Sequence, residues 1–327
     1  MKHAILFSVG FIFLFAATIT IGVYSHYRSS KSAAHREVAI TFDDLPVVSA
    51  RPDIAAHQEI TTKLLKSLTS NKVPAVGFVN EDKLLNRGER EAQRVALLRQ
   101  WLDAGFELGN HTFSHIDLHT TPLSAFEEDV VRGEMVTKAL LSEKNMQLRY
   151  FRHPYLHTGR DLETKLALES FLARRGYRVA PVTIENSDWT FANAYDQAVE
   201  RGDKPMMQRI AQEFISSMER EFESYERQSV DLFGHEIKHV LLLHANALNA
   251  DHFDALARMM KRRGYSFITL EQALTDKAYQ SPDTYTGDGG ITWLHCWAIT
   301  KGMEPGSFRS KPTVPDFVMK EARLTPK

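Results

Sequence analysis

The chain has 327 residues, enough for one large domain or two modest ones. Its hydrophobic content of 43% and charged content of 25% are ordinary for a folded globular protein. Lys and Arg number 40 against 41 Asp and Glu, so the net charge of -1 gives no electrostatic basis for binding nucleic acid. The single cysteine, Cys296, excludes an internal disulfide and a lipid-anchored cysteine near the N-terminus.

An apolar segment, residues 4–24, opens the chain and carries no charged side chain. Signal peptides have apolar cores of about 7–15 residues, whereas a membrane-spanning helix needs about 17–25. We interpret residues 1–36 as a signal peptide or signal anchor followed by a polar linker. The positive charges after the segment favour a cytoplasmic catalytic domain, but its N-terminal position favours export. The prediction is an exported periplasmic or cell-envelope protein, with membrane attachment through residues 4–24 if the segment is not cleaved.

Beyond residue 36, short apolar runs alternate with longer runs of helical periodicity. The predicted strands are residues 37–42, 75–79, 106–110, 149–152, 177–184, 239–244 and 265–270. The predicted helices are residues 54–68, 91–104, 125–141, 162–175, 206–226 and 252–263. This alternation predicts an α/β fold with a mainly parallel sheet, and seven units favour a distorted (β/α)7-type barrel in a single catalytic domain.

The alternating pattern ends near residue 276. We therefore assign residues 37–276 to the barrel and residues 277–327 to a C-terminal extension. Within the extension, residues 293–297 are predicted to form a strand or turn that packs on the barrel. Four prolines follow, and the tail is predicted to have no regular structure.

Two pairs of candidate metal ligands follow predicted strands. The first strand ends in Asp43 and Asp44, and adjacent carboxylates repel each other unless a cation takes one of them. The third strand leads to His111 and His115, whose four-residue spacing places both imidazoles on one face of a helical turn. Taken alone, each pair is more readily explained by a solvated loop or by chance among the 14 histidines.

Three further groups follow other predicted strands. Arg152 follows the fourth strand, Asp188 and Trp189 follow the fifth, and His244 ends the sixth. Each has an ordinary explanation as a surface ion pair, a core aromatic or a buried histidine. All five groups nevertheless fall at strand carboxyl ends, which form the active-site face of a βα barrel. Their joint placement predicts one active site.

Five ordered motifs carry a resemblance to the polysaccharide deacetylases of carbohydrate esterase family four. The motifs are Thr41-Phe42-Asp43-Asp44, His111-Thr112-Phe113-Ser114-His115, Arg152-His153-Pro154-Tyr155, Asp188-Trp189 and Leu242-Leu243-His244. The resemblance covers about residues 37–276 and implies a distorted (β/α) barrel. It also implies a metal-dependent hydrolase that removes N-acetyl groups from amino-sugar glycans such as peptidoglycan or chitin-like oligomers.

The resemblance implies a metal site and a general base. Asp44, His111 and His115 match the positions that hold the metal. This ligand set suits Zn²⁺ best, and Co²⁺, Ni²⁺ and Fe²⁺ are compatible with it. Asp43 matches the general base, and Arg152 matches the residue that pairs with it.

The same resemblance implies a general acid and a substrate pocket. His244 matches the general acid, and Asp188 matches the residue that orients it. The backbone N–H of Tyr155 matches an oxyanion donor. Trp189 and Leu242 match the side chains that enclose the acetyl methyl group.

The chain departs from the pattern of the family at several positions. Leu45, His153 and Leu156 stand where smaller residues are common, so we expect a groove narrowed near the metal. Residues 190–239 make a longer insertion than is usual and are predicted to form an arm that covers the substrate.

Three other functions fit parts of this sequence. An O-acetyl esterase acting on acetylated xylan and a hydrolase of cyclic amides use the same scaffold and metal. A non-catalytic glycan-binding protein with a decayed site is a third reading, and the intact set of candidate ligands and acid–base residues argues against it.

Overall fold

The structure is a computed structural model in which Met1, residues 36–304 and residues 312–324 are described. Ala34–Lys327 form one compact unit. The predicted signal or anchor segment, residues 4–24, lies outside the described residues. Among the helices that are described, none is both long enough and apolar enough to cross a membrane. The predicted domain limits at residues 36 and 276 stay predictions.

A seven-stranded sheet, paired in parallel throughout, forms the centre of the compact unit Ala34–Lys327. In chain order the strands of the protein are β1 (Arg36–Leu45), β2 (Ala75–Val79), β3 (Leu85–Asn86), β4 (Glu89–Arg90), β5 (Glu107–Asn110), β6 (Tyr150–Phe151), β7 (Arg178–Val179), β8 (His239–His244) and β9 (Tyr265–Phe267). The order across the sheet is β7-β6-β5-β2-β1-β8, and β9 pairs with β1. Strands β3 and β4 form a separate hairpin.

The residues that follow β7 close the sheet against β8. The N–H groups of Thr183 and Ile184 both donate to the Val240 carbonyl at 3.0 Å. The Leu242 N–H donates in turn to the Ile184 carbonyl at 3.1 Å. The two edges of the sheet are therefore joined by a short stretch of backbone in place of a full strand. This closure makes a distorted barrel and confirms the predicted fold class.

Helices cover the outside of the barrel. They are α1 (Ile54–Asn71), α2 (Ala92–Asp103), α3 (Leu123–Arg132), α4 (Met135–Glu143), α5 (Leu162–Arg174), α6 (Asp188–Glu200), α7 (Lys204–Phe233), α8 (Ala247–Arg262), α9 (Leu270–Ala273), α10 (Trp293–Thr300) and α11 (Asp316–Glu321). Apolar side chains of the strands meet the inner faces of these helices. Phe42 of β1, for example, is fully buried and packs edge-on against Trp101 of α2, with ring centroids 5.6 Å apart. Burial of this kind contributes most of the stability of the fold.

Each of the seven predicted strand ranges contains a strand, although those predicted over residues 149–152, 177–184 and 265–270 are shorter, and the helix predicted over residues 125–141 is divided. It breaks at Gly133, where a Cβ would lie 2.6 Å from the carbonyl carbon of Thr112. A glycine is needed there because the helix end packs directly on the backbone of the loop that carries His111.

Three glycines lie between a helix and the strand that follows it: Gly105, Gly176 and Gly264 have φ values of 84°, 80° and 89°. These left-handed conformations are typical of glycine-terminated helices.

Four helices, α6, α9, α10 and α11, were not predicted from the sequence. Helix α6 begins at Asp188, and residues 293–300 form α10 where a strand or turn was expected. Six of the eight residues of α10 are buried, so the segment shows no amphipathic periodicity from which a helix could be inferred. Helix α11 lies in the tail that was predicted to be irregular.

Candidate active site

The predicted site residues lie together at the carboxyl ends of the strands. Asp43 and Asp44 are near the end of β1, and His111 follows β5. Arg152 follows β6, and His244 is the last residue of β8. Parallel pairing aligns these strand ends at one mouth of the barrel, where the chain is free to turn and direct side chains into a shared space. Four of these residues, Asp43, Asp44, His111 and His244, line one cavity of about 510 Å³.

Asp44, His111 and His115 present three donor atoms to one another. Asp44 Oδ1 lies 3.6 Å from His111 Nε2 and 3.4 Å from His115 Nε2. A tetrahedral divalent ion with bonds of about 2.0–2.1 Å separates its ligand atoms by roughly 3.3–3.4 Å. Asp44 Oδ1 is also buried without a hydrogen-bond partner, which is costly for a carboxylate oxygen that no cation approaches. The donor set therefore fits a divalent metal ion.

The backbone fixes which nitrogen of His111 faces Asp44. His111 Nδ1 lies 2.8 Å from the carbonyl oxygen of Arg152, which can only accept a hydrogen bond. Nδ1 therefore carries the proton, and Nε2 keeps its lone pair for a metal. Burial lowers the pKa of His111 to about 3, so the ring is neutral near pH 7. The rings of His111 and His115 meet at 69°, an angle that lets their lone pairs converge.

Asp43 lies beside this donor set in a buried hydrogen-bond network. One of its oxygens is 3.9 Å from His111 Nε2. Both of its oxygens accept hydrogen bonds of 3.0 Å from Nη1 of Arg152. Burial raises the pKa of Asp43, although the Arg152 guanidinium opposes this shift. A carboxylate with a raised pKa is a better proton acceptor than an exposed one.

The guanidinium of Arg152 is fully buried, and its Nε and Nη2 groups also donate hydrogen bonds. Its Nε donates to the Ala180 carbonyl at 2.8 Å, and Nη2 donates to Thr41 Oγ1 at 3.0 Å. The guanidinium carbon lies 4.6 Å from the centroid of the Phe78 ring. Arg152 is therefore held rigidly, and it holds the Asp43 carboxylate in one orientation.

His244, which lines the cavity, forms a hydrogen-bonded pair with Asp188 behind it. His244 Nδ1 donates to Asp188 Oδ1 at 2.8 Å. Burial alone lowers the pKa of His244, but the Asp188 carboxylate raises it to about 9. Asn249 Nδ2 donates to the other Asp188 oxygen at 2.8 Å, so the carboxylate has no freedom to turn away. The imidazole is protonated near neutral pH.

Apolar side chains form the rest of the wall. Leu242 and Leu156 line the cavity and are buried, whereas Tyr155 and Trp189 line it with 54% and 52% of their surfaces exposed. Two exposed aromatic faces beside a polar centre are suited to the apolar faces of sugar rings. The His115 ring packs edge-on against Tyr155, with centroids 4.5 Å apart.

Left-handed backbone is concentrated at this site. Asp44, Thr112, His115, Tyr155 and Leu156 have φ values of 64°, 65°, 53°, 56° and 57°. Such conformations cost a non-glycine residue about 1–3 kcal/mol each and persist only where surrounding contacts enforce them. The backbone is therefore strained at two of the three candidate ligands, Asp44 and His115, and at the predicted oxyanion donor, Tyr155.

A second group of potential ligands, Asp117, His119 and His157, lies nearby, with donor atoms within 4.8 Å of one another. Its two imidazoles are stacked in parallel, at 5° and with centroids 3.9 Å apart. Lone pairs lie in the ring planes, so those of parallel rings do not converge on one ion. Asp117 Oδ1 already accepts a hydrogen bond of 2.7 Å from His157 Nδ1. This group has the geometry of a hydrogen-bonded stack, in contrast to Asp44, His111 and His115.

Two supporting residues were not predicted from the sequence. Lys83 Nζ donates to the Asp44 carbonyl at 3.0 Å, and Asn249 supports both Asp188 and the His244 carbonyl. Lys83 lies just beyond the carboxyl end of β2, so the strand-end rule that selected the other groups could have found it. Asn249 lies in the first turn of α8, and its partners could be identified only once the helix was placed.

Two expectations about the groove are wrong. The Leu45 side chain is fully buried and points at Gly77, so it packs in the core and does not narrow the cavity. Residues 190–239, predicted to cover the substrate, form α6 and α7 and the start of β8, and none of them lines the cavity. His153 and Leu156 do line it, as expected.

A parallel α/β barrel with two imidazoles, two carboxylates and a carboxylate–histidine pair at its strand ends has the features of a metal-dependent hydrolase domain. Residues 30–170 match the family described as Polysaccharide deacetylase. This match includes the first three of the five motifs. Residues 30–170 are therefore similar to a polysaccharide deacetylase domain, which agrees with the resemblance inferred from the motifs.

Individual relatives are similar over about half of the chain. A chitooligosaccharide deacetylase of Bradyrhizobium sp. (strain ANU 289) is 33% identical over 148 residues, which are 44% of this chain and 54% of that protein. A peptidoglycan-N-acetylglucosamine deacetylase of Bacillus cereus is 25% identical over 158 residues, 48% of each chain. The chain thus spans about half the length of these relatives. A solved family 4 carbohydrate esterase from Streptomyces lividans in complex with acetate is 20% identical, with coverage of 74% and 97% and a TM-score of 0.47.

Proposed function

We propose that this protein is a metal-dependent deacetylase that removes N-acetyl groups from amino-sugar glycans, either peptidoglycan or chitin-like oligomers. The observation that carries the proposal is the orphaned Asp44 oxygen facing two imidazole nitrogens, with Asp43 beside it and His244 lining the same cavity. The two curated relatives described above are deacetylases of peptidoglycan N-acetylglucosamine and of chitooligosaccharides.

Asp44, His111 and His115 would hold the ion, which we propose to be Zn²⁺, with Co²⁺, Ni²⁺ or Fe²⁺ as compatible alternatives. A bound divalent ion supplies Lewis acidity that polarises a carbonyl and makes water more acidic. Three protein ligands leave room for substrate, as a catalytic site requires. Lys83 and the Arg152 carbonyl orient the ligand residues from outside.

Asp43 is proposed to act as the general base. Its carboxylate takes the proton of the attacking water as the water oxygen bonds to the acetyl carbonyl carbon. Burial raises the pKa of this carboxyl group and so makes the carboxylate a stronger proton acceptor. Arg152 keeps the carboxylate in place and is a positioning residue, since it is fully buried.

His244 is proposed to act as the general acid. Its Nδ1 is committed to Asp188, so Nε2–H is the group available to protonate the amine nitrogen. An amine departs poorly without that proton, and the C–N bond breaks as the proton arrives. The Tyr155 backbone N–H is proposed to donate to the oxyanion that forms on the acetyl carbonyl oxygen. Leu242 and Trp189 are proposed to contact the acetyl methyl group.

We also propose that the protein acts in the cell envelope. The apolar segment 4–24 supports this location as an export signal or anchor. The peptidoglycan substrate in the name of the Bacillus cereus relative agrees with it.

An acetate-release assay tests the function. Purified full-length protein would be incubated with N-acetylglucosamine oligomers and, in parallel, with acetylated xylan, before and after chelation of its metal. We expect acetate from the amino-sugar oligomers, loss of release after chelation and recovery with Zn²⁺ or Co²⁺. Release from acetylated xylan alone would instead establish an O-acetyl esterase, and ring opening of cyclic amides without acetate release would establish a cyclic amide hydrolase. Glycan binding without metal retention would show a non-catalytic protein.

A further inference from the structure

The C-terminal region contributes to the cavity through a glycine in a tight backbone contact. Gly290 lines the cavity and packs on the Tyr155 backbone. A Cβ added to Gly290 would lie 1.7 Å from the Tyr155 carbonyl oxygen, 2.9 Å from its carbonyl carbon and 3.2 Å from His157 Cδ2. The first two atoms belong to the main chain and cannot rotate away as a side chain would. No residue larger than glycine fits here without moving Tyr155.

The backbone that Gly290 touches is strained. Tyr155 and Leu156 are consecutive non-glycine residues with left-handed φ values of 56° and 57°. The turn is held by hydrogen bonds of 3.1 Å from Leu156 N–H to the His153 carbonyl and from His157 N–H to the Pro154 carbonyl. Strained conformations of this kind relax unless neighbouring atoms prevent it. To relax, the Tyr155 carbonyl would have to move into the space that Gly290 occupies.

The segment that carries Gly290 is anchored on both sides. On its N-terminal side, Lys165 of α5 is buried and donates to Asp283 Oδ2 at 2.6 Å, and the Tyr285 hydroxyl donates to the Gly289 carbonyl at 3.0 Å. On its C-terminal side, the Trp293 N–H donates to the Val182 carbonyl at 2.8 Å. Gly290 is thus held against the turn and is not part of a loosely attached tail.

We propose that Gly290 is a positioning residue that holds the Tyr155 peptide in the orientation needed to donate to the oxyanion. The N–H and the carbonyl of Tyr155 lie in adjacent peptide planes that meet at one Cα, so a displacement of the turn that shifts this Cα also moves the N–H. Residues 283–293 therefore complete the active site from outside the predicted barrel limits. This inference rests on the proposed deacetylase function.

Gly290→Ala tests the proposal, with the neighbouring Gly289→Ala as a matched control. A Cβ at Gly289 would meet its nearest atoms at 3.9 Å, an ordinary contact. Each variant would be assayed for kcat and KM on an N-acetylglucosamine oligomer, for bound metal, and for amide hydrogen exchange at residues 154–158. We expect Gly290→Ala to lower kcat about 10²-fold, since misplacement by about 1 Å costs this much, with KM and metal content little changed. Exchange at Leu156 and His157 should quicken, and Gly289→Ala should resemble wild type.

The outcomes separate the two proposals. Absence of acetate release by the wild-type protein would overturn the deacetylase function, whereas the exchange data would still report whether Gly290 holds the turn. If Gly290→Ala has the same kcat and the same amide hydrogen exchange as the wild-type protein, the positioning role is overturned. If Gly290→Ala does not fold, Tyr285→Phe replaces it, because it removes only the hydrogen bond to the Gly289 carbonyl. Quickened exchange at residues 154–158 with lower kcat in Tyr285→Phe supports the role, and wild-type values overturn it.

Discussion

Asp188 accepts two hydrogen bonds from the same residue, His244. One comes from the imidazole Nδ1–H and the other from the backbone N–H, and each is 2.8 Å long. The carboxylate is fully buried and therefore exerts its charge on the ring with little screening by solvent. This double contact fixes the orientation of the imidazole ring, and the same carboxylate raises the pKa of that ring.

The pKa of His244 predicts the alkaline limit of activity. Because Asp188 raises this pKa to about 9, the ring is protonated below pH 9 and loses its proton as the pH rises through that value. Asp188→Asn removes the negative charge while burial continues to lower the pKa, so the alkaline limb of the kcat/KM profile should move to lower pH. We expect at least a tenfold loss of kcat/KM at pH 8. An unshifted alkaline limb in Asp188→Asn would exclude His244 as the acid.

Metal binding and base catalysis should be separable by substitution. Asp43→Asn keeps the shape of the side chain and leaves Asp44, His111 and His115 intact, so metal content should persist while kcat falls about 10²–10⁴-fold. Asp44→Ala and His111→Ala should lose the metal, as measured by elemental analysis of dialysed protein. Near-full activity in Asp43→Asn would show that another group takes the proton.

Loss of Arg152 should destabilise the whole fold. Removing one partner of a buried ion pair leaves an uncompensated charge and costs about 3–5 kcal/mol. Arg152→Met should therefore lower the free energy of unfolding by that amount in a urea titration. Arg99→Met is the control, because Arg99 pairs with Glu143 at the exposed surface, and it should leave the midpoint unchanged. Equal midpoints for the two variants would contradict the structural role of Arg152.

A buried histidine outside the candidate metal site should make the fold acid-sensitive. Burial lowers the pKa of His239 from 6.5 to about 3. Between these values the unfolded chain binds a proton that the folded chain does not, so stability falls as the pH drops below 6.5, by up to about 1.4 kcal/mol per pH unit. His239→Leu should reduce this slope between pH 6.5 and 4.5, measured as unfolding free energy at several pH values. Identical slopes in wild type and variant would count against the assignment.

The positions of the candidate catalytic residues were accessible from the sequence because the strands are short, apolar and regularly spaced. Asp43 lies near the end of its strand, His244 ends its strand, and His111 and Arg152 directly follow theirs. Parallel strands bring their carboxyl ends to one side. Residues 75–79 and 239–244 were predicted with the bounds that the structure has. Local periodicity is sufficient here because each strand is buried on both faces.

The remaining features depend on contacts between residues far apart in the chain. Helix α10 is buried almost all round, and nothing in its composition distinguishes it from a buried strand. Likewise, Leu45 was assigned to the groove by its proximity to Asp44, but the turn of the chain there directs it into the core beside Gly77.

Residue order and side-chain chemistry thus led to the barrel and to one site at the strand ends, and the resemblance to a known family supplied the candidate metal ligands and the two candidate acid–base pairs. Packing alone established the closure between Ile184 and β8, the parallel stack of His119 on His157 and the contact of Gly290 with Tyr155. Those contacts join segments separated by tens to more than a hundred residues. Their existence depends on how helices and strands fit in three dimensions, and no local pattern in the chain encodes that fit.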